Sequence, residues 1–91
     1  MIDYRMKVKG GSFLPAMALL KSNEIEVEAP VDEVQGLRIL HYAAYFGKIK
    51  ALSALSEEFH ADIGAIDYRG QTPLHIATNS GEIGALVFLS A

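Results

Sequence analysis

Apolar residues along most of this chain recur at steps of three and four, the spacing of one face of an α-helix. The clearest series is interrupted once, at Gly47, and consists of Leu40, Ala43, Ala44, Ile49, Leu52, Leu55 and Phe59. A glycine between two helical series is typical of a turn, because glycine readily adopts the left-handed conformation that ends many helices. The pattern therefore predicts two short antiparallel helices joined at Gly47.

The same pattern returns later in the chain at one constant offset, the interval from Gly36 to Gly70. The matched pairs are Gly36 and Gly70, Leu40 and Leu74, His41 and His75, Ala43 and Ala77, Gly47 and Gly81, Ile49 and Ile83, Ala51 and Ala85, Leu52 and Leu86, and Leu55 and Leu89. Thr72 and Pro73 predict where the second inner helix starts, because a hydroxyl can cap free amides and proline fits the first helical position. Gly81 predicts where that helix ends.

The segment DYRGQTPLHIATNSGEIGALVFL, residues 67–89, resembles an ankyrin repeat in its Asp-x-x-Gly-x-Thr-Pro-Leu-His-x-Ala motif and its later glycine. Residues 33–67 resemble a weaker copy, in which Arg38 stands where threonine is usual and Ile39 where proline is usual. The resemblance implies an all-α ankyrin-repeat solenoid of helix-turn-helix pairs with β-hairpin-like loops.

The N-terminal segment, residues 1–32, matches this pattern poorly. Gly11 to Ile25 can be laid over Gly70 to Gly84 with little in common except the glycine, Ala18 and a helical frame. We expect an extended lead, a helix at about 13–22 that caps the stack, and extended chain from Ile25 to Pro30. The predicted organisation is an N-terminal lead with a capping helix or decayed repeat (1–32), a full repeat (33–66) and a truncated repeat (67–91).

His41 and His75 occupy the same position in the two copies, so a shared ligand or catalytic pair has to be considered. Neither has a carboxylate or cysteine at ligand spacing, and a zinc site would lack its other ligands. The resemblance implies instead that this histidine links the start of its own helix to a neighbouring loop, with Thr72 as a partner for His75. We predict structural roles for His41, His75, Thr72, Gly36 and Gly70, and neither a metal nor a cofactor.

Composition narrows the functional classes further. The 91-residue chain has a net charge of −3 and eight scattered basic residues, a distribution that is not typical of nucleic-acid binding. Its apolar stretches are shorter than the roughly 20 residues that cross a bilayer, and Pro15 and Lys21 disfavour a signal peptide. The absence of cysteine fits a reducing compartment and predicts a cytoplasmic location. Acidic residues between Glu24 and Glu33 are typical of a solvated face rather than a cation site.

No phosphate loop, nucleophile elbow or catalytic triad occurs in the sequence, which predicts a non-catalytic protein. The resemblance implies a protein-interaction module that binds its partner through the concave face of the stack, formed by hairpin tips and inner-helix ends. The residues at those positions are Val34, Gln35, Leu37, Tyr45, Phe46, Tyr68, Arg69, Gln71, Asn79 and Ser80. The alternative is a regulatory or substrate-recruiting segment of a larger enzyme or membrane protein.

Two points remain open at the level of sequence. Leu37, Tyr45 and Phe46 form an apolar patch that either binds a partner or is covered by the N-terminal helix. Val87 and Phe88 stand where the preceding copy has Ser53 and Ala54. A capping repeat is expected to be polar on its outer face, so these residues predict self-association or further repeats at the C-terminal face.

Overall fold

A computed structural model describes residues 4–90 as short helices and one two-stranded sheet. The elements are α1 Tyr4–Lys9, α2 Leu14–Lys21, β1 Pro30–Asp32, β2 Leu37–Arg38, α3 Ile39–Tyr45, α4 Ile49–Glu57, α5 Pro73–Ser80 and α6 Ile83–Ser90. The helices form three pairs, α1 with α2, α3 with α4 and α5 with α6, and α3 packs against both α1 and α5. We call α1, α3 and α5 the inner helices and α2, α4 and α6 the outer helices.

A left-handed glycine ends the inner helix of each pair. Gly11, Gly47 and Gly81 have φ values of 90°, 66° and 75°, a region that other residues occupy at a cost. The helix ends predicted at Gly47 and Gly81 are confirmed, as is the helix start at Thr72 and Pro73. Gly11 is therefore equivalent to Gly47 and Gly81, and the alignment of Gly11 with the loop glycine Gly70 is wrong.

This equivalence changes the place of the N-terminal helices in the stack. The helix expected at about 13–22 runs from Leu14 to Lys21, but it is an outer helix. Tyr4–Lys9, expected to belong to an extended lead, is instead the inner helix α1, while residues 1–3 lie outside the described part of the chain. Helices this short have little stability of their own; packing of the fully buried Val8 against its neighbours stabilises α1.

The core lies where the inner helices meet and along the inward faces of the outer helices. Ala43 and Ala77 are fully buried, and their small side chains let α3 and α5 approach closely. Leu52 and Leu55 of α4 are also fully buried, and each contributes roughly 2–3 kcal/mol through removal of apolar surface from water. The stack is thus stabilised mainly by contacts between pairs.

Loops on the inner-helix side connect the pairs. Strands β1 and β2 form an antiparallel hairpin whose turn is closed by a 2.7 Å bond from the Gly36 amide to the Asp32 carbonyl. In the next loop, the buried Asp67 carboxylate accepts the amides of Arg69 and Gln71 at 2.9 and 2.8 Å. The Tyr68 amide donates to the Gln35 carbonyl at 2.8 Å, so the two loops are bonded to each other.

Residues 25–29, expected to be extended, instead contain a turn. The Ala29 amide donates to the Glu26 carbonyl at 3.1 Å, and strand β1 begins at Pro30. Proline restricts mainly the residue directly before it, so it sets the conformation at Ala29 without extending the preceding chain.

Candidate protein-binding surface

His41 joins two helix pairs through both of its ring nitrogens. Its Nδ1 accepts the Arg38 amide at 3.0 Å, at the start of α3, and its Nε2 lies 3.0 Å from the Gln71 carbonyl oxygen. Since Nδ1 is an acceptor, the proton of the neutral ring is on Nε2, which donates to Gln71. Burial lowers the pKa of His41 below its ordinary value, although the Gln71 carbonyl acts in the opposite direction. The ring is therefore held neutral as a connector between helix pairs.

In the described chain, His75 makes the equivalent contact at the start of its own helix but not the contact with a neighbouring pair. Thr72 caps α5 by accepting the His75 amide at 3.3 Å, and its hydroxyl lies 2.8 Å from Nδ1 of the His75 ring. The side chain is exposed, because the described part of the chain places no further helix pair beyond α5 and α6. Arg38, which stands in the place of Thr72 in the preceding pair, instead forms a 2.8 Å ion pair with Glu28.

Several of the residues expected to bind a partner lie at the loop tips and at the end of α5. Val34 and Tyr68 are exposed at the loop tips, with 86% and 71% of their surface accessible, and Gln35 and Arg69 beside them are also exposed. At the C-terminal end of α5, Asn79 is exposed whereas Ser80 is half-buried. The half-buried Gln71 supplies its backbone carbonyl to His41, so part of this residue has a structural contact.

A groove of about 430 Å³ lies on the inner-helix face. It brings together two of the expected residues, Leu37 and Tyr45, with three that the sequence interpretation missed, Lys9, Tyr42 and Ile76; His41 also contributes to its wall. Tyr45 is 52% exposed. Burial raises the pKa of Tyr42, and the Asp32 carboxylate acts in the same direction, so the phenol stays protonated at neutral pH.

Phe46 lies apart from this groove. Its ring packs edge-to-face on Phe13 with centroids 6.4 Å apart, and a side chain at Gly11 would come within 3.5 Å of it. Tyr45 also packs edge-to-face on the Phe46 ring, at a centroid distance of 4.9 Å. The N-terminal segment thus covers Phe46 and leaves Tyr45 half-exposed, which divides the predicted apolar patch.

Comparison with known proteins accounts for this arrangement of helix pairs. A family model described as ankyrin repeats (3 copies) matches residues 8–90, nearly the whole chain. The chain belongs to the ankyrin-repeat family. The matched span includes the end of α1 and all of α2, and α1 packs against α3 of the second pair.

Two curated proteins show local similarity to this ankyrin chain. The chain is 40% identical over 52 residues to a protein named L-asparaginase from Dirofilaria immitis, a match that covers 57% of the chain and 9% of that protein. It is 37% identical over 49 residues to ankyrin repeat domain-containing protein 53 from Homo sapiens, covering 54% of the chain and 9% of that protein. The matches thus span about a tenth of the length of these relatives.

The ankyrin stack uses its acidic segment for structure. The Glu28 carboxylate binds the Arg38 guanidinium and also accepts the Asp62 amide at 2.7 Å, and Glu33 lies 3.3 Å from Arg5. Asp32 accepts the Val34 amide at 2.9 Å. Among residues 4–90 there is no cluster of histidine and carboxylate groups that could hold a metal ion, and no helix long and apolar enough to cross a membrane.

The ankyrin repeat interval could have identified two of the three groove residues that the sequence interpretation missed. Tyr42 and Ile76 are separated by the same interval as His41 and His75, so the frame already placed them at equivalent positions on two inner helices. Lys9 could not be found in this way, because the position of α1 beside α3 depends on an alignment that the sequence did not support.

Proposed function

We propose that this ankyrin chain is a non-catalytic module that binds a protein partner at the inner-helix face, through the groove defined by Lys9, Leu37, Tyr42, Tyr45 and Ile76. Ankyrin repeats are a general protein-interaction module, and the observation that carries the proposal is the groove itself. It is mostly apolar, holds one half-exposed tyrosine and has a lysine at its edge. Tyrosine is among the residue types that frequently contribute strongly to protein interfaces.

The loop tips extend the proposed surface beyond the groove. Val34 and Tyr68 are exposed there although their backbone amides are bonded, to the Asp32 carboxylate and to the Gln35 carbonyl respectively. A surface whose backbone is already ordered loses less entropy on binding than a mobile loop does. We include Gln35, Arg69, Gln71, Asn79 and Ser80 as its polar rim, and we leave out Phe46, which the N-terminal segment covers.

A photo-crosslinking experiment tests this surface. A benzophenone amino acid is placed at Tyr45 in the groove or, as a matched control, at Ile63, an exposed residue of the loop before α5 that does not line the groove. We expect a protein adduct from position 45 that is lost when Leu37→Ser is added, with no such adduct from position 63. Adducts of the same protein in equal yield from both positions would contradict the proposed site.

A second candidate function is suggested by the match to L-asparaginase. That match covers 9% of the named protein, so the similar segment is a small part of a longer chain. Under this hypothesis the present ankyrin unit positions or regulates a larger protein whose chemistry lies elsewhere. Extending the reading frame on both sides tests it, and an open reading frame limited to these repeats would rule it out.

We further propose that the C-terminal face is covered by a second copy of the chain or by a further repeat. Ile83 and Val87 of α6 are 73% and 61% exposed, and His75 of α5 is exposed as well. Sedimentation of the wild type and of Val87→Asp over a range of concentrations tests self-association. A wild type that stays monomeric throughout, in a reading frame without another repeat, would contradict both versions.

A further inference from the structure

A second groove, of about 740 Å³, lies between the outer helices α2 and α4. Phe13, Leu14 and Met17 line one side of it, and Ile49 and Ala51 line the other. Next along the stack, α4 packs directly on α6. The groove therefore marks the place where neighbouring outer helices leave space between them, and we call it the outer groove.

The rim of the outer groove is basic. Three exposed lysines line it: Lys21 at the end of α2, and Lys48 and Lys50 at the start of α4. In the part of the chain that the structure describes, none of these lysines forms an ion pair, and no carboxylate is among the residues that line the groove. The Glu82 carboxylate lies beside Gly47, at the margin of the groove. The groove thus combines an apolar lining with positive charge from both helices.

We propose that the outer groove binds a partner protein segment that inserts apolar side chains between α2 and α4 and places carboxylates beside Lys21, Lys48 and Lys50. Opposite charges at the edge of an apolar contact add specificity and speed association. Two of the apolar lining side chains are recessed, since Phe13 is only 7% exposed and Met17 is half-buried. An inserted side chain can reach them more readily than the flat surface of a bilayer can. This proposal concerns a different face from the inner-helix groove and does not depend on it.

The probe for the test is a fluorescein-labelled peptide of roughly four helical turns, with leucines on one face and glutamates on the other. A second peptide carries lysine in place of every glutamate. Fluorescence anisotropy of each peptide is measured against the full chain at low and at high salt. We expect the acidic peptide to bind, more weakly at high salt, and the basic peptide not to bind.

Matched variants locate the binding. Replacing Lys21, Lys48 and Lys50 with glutamate is expected to weaken binding of the acidic peptide by roughly tenfold or more, since each exposed charge pair contributes a modest factor. As a control matched in charge, Lys50→Glu is compared with Lys7→Glu, whose exposed side chain lines neither groove. Lys50→Glu should weaken binding by roughly threefold, and Lys7→Glu should stay within about twofold of wild type. Leu14, 82% exposed, provides the apolar test: Leu14→Ser should weaken binding by roughly threefold.

Circular dichroism is used to check that each variant is folded. We expect folded variants, because the substituted side chains are exposed. Glu82→Gln should strengthen binding of the acidic peptide, since it removes the carboxylate at the margin. The proposal is overturned by absence of acidic-peptide binding, by equal binding of the basic peptide, or by a loss for Lys7→Glu as large as that for Lys50→Glu. It is also overturned if phosphatidylserine vesicles bind through the three lysines while the acidic peptide does not.

Discussion

The second and third helix pairs have the same sequence frame but differ in burial. In the second pair, His41 is buried, α3 buries residues along most of its length, and Leu52 and Leu55 of α4 are fully buried. In the third pair, His75 is exposed and α6 buries Ala85. The second pair lies between two neighbours, whereas the described chain supplies the third pair with one. A residue's contribution to the free energy of unfolding therefore depends on the number of stacked neighbours as much as on its own repeat.

Alanine substitution of the equivalent leucines Leu52 and Leu86 should give the largest difference in the free energy of unfolding. Leu52→Ala leaves a cavity at a fully buried position and should lower the free energy of unfolding by about 2–4 kcal/mol. Leu86 is half-buried, and Leu86→Ala should cost about 1 kcal/mol. Urea unfolding followed by circular dichroism measures both variants, and equal losses would show that the two pairs are equally stabilised.

Alanine substitution of the equivalent histidines should give the second-largest difference in the free energy of unfolding. His41→Ala leaves the Arg38 amide and the Gln71 carbonyl without their partner and should cost about 1–3 kcal/mol. His75→Ala removes contacts within one helix start and should cost about 0.5–1 kcal/mol. The same unfolding measurement decides the matter, and a larger loss at His75 would contradict the role of the bond between pairs.

The dependence of stability on pH should reveal the buried histidine. Burial lowers the pKa of His41 in the folded chain from 6.5, so the unfolded chain binds a proton first as the pH falls. The free energy of unfolding should therefore decrease from about pH 6.5 downward until the folded ring also titrates. Unfolding at pH 7.0, 6.5, 6.0 and 5.5, roughly above the carboxylate range, measures the slope, which His41→Gln should reduce. A wild type that gains stability over this interval would contradict the assignment.

The equivalent loop glycines should show the smallest difference. Gly36 and Gly70 both have positive φ values, of 74° and 78°, so alanine strains either position by about 1 kcal/mol. At Gly36 a methyl group would also come within 2.6 Å of the Tyr68 ring, whereas at Gly70 it would have no neighbour within 4 Å. We expect Gly36→Ala to be the more destabilising by a few tenths of a kcal/mol, because the exposed ring can move. Thermal unfolding of the two variants compares them directly, and a greater loss at Gly70 would refute it.

Much of the fold was predictable from residues whose backbone conformation is constrained. Thr72 with Pro73 marked the start of α5, and Gly47 and Gly81 marked helix ends, because few other residues suit these positions. The return of the glycine, leucine and histidine positions in a second copy predicted the stacked helix pairs, and the family match confirms the ankyrin assignment. Local chemistry therefore indicated where each helix of the second and third pairs begins or ends.

The N-terminal pair was less accessible to sequence reasoning. Gly11 has the positive φ that both a helix end and a loop tip require, so glycine alone could not tell one from the other. Helix α1 has six residues and buries Val8, too little for a recognisable apolar series. The separation of Phe46 from Tyr45 was also hidden, because it depends on Phe13, a residue far away in sequence.

The bond from His41 to Gln71 has a consequence for how this protein can change. Its acceptor is a peptide carbonyl, which every amino acid at position 71 would supply in the same way. Mutations can therefore alter the side chain at this position while the connection between neighbouring units stays intact. Such an architecture permits the surface to diversify at little structural cost.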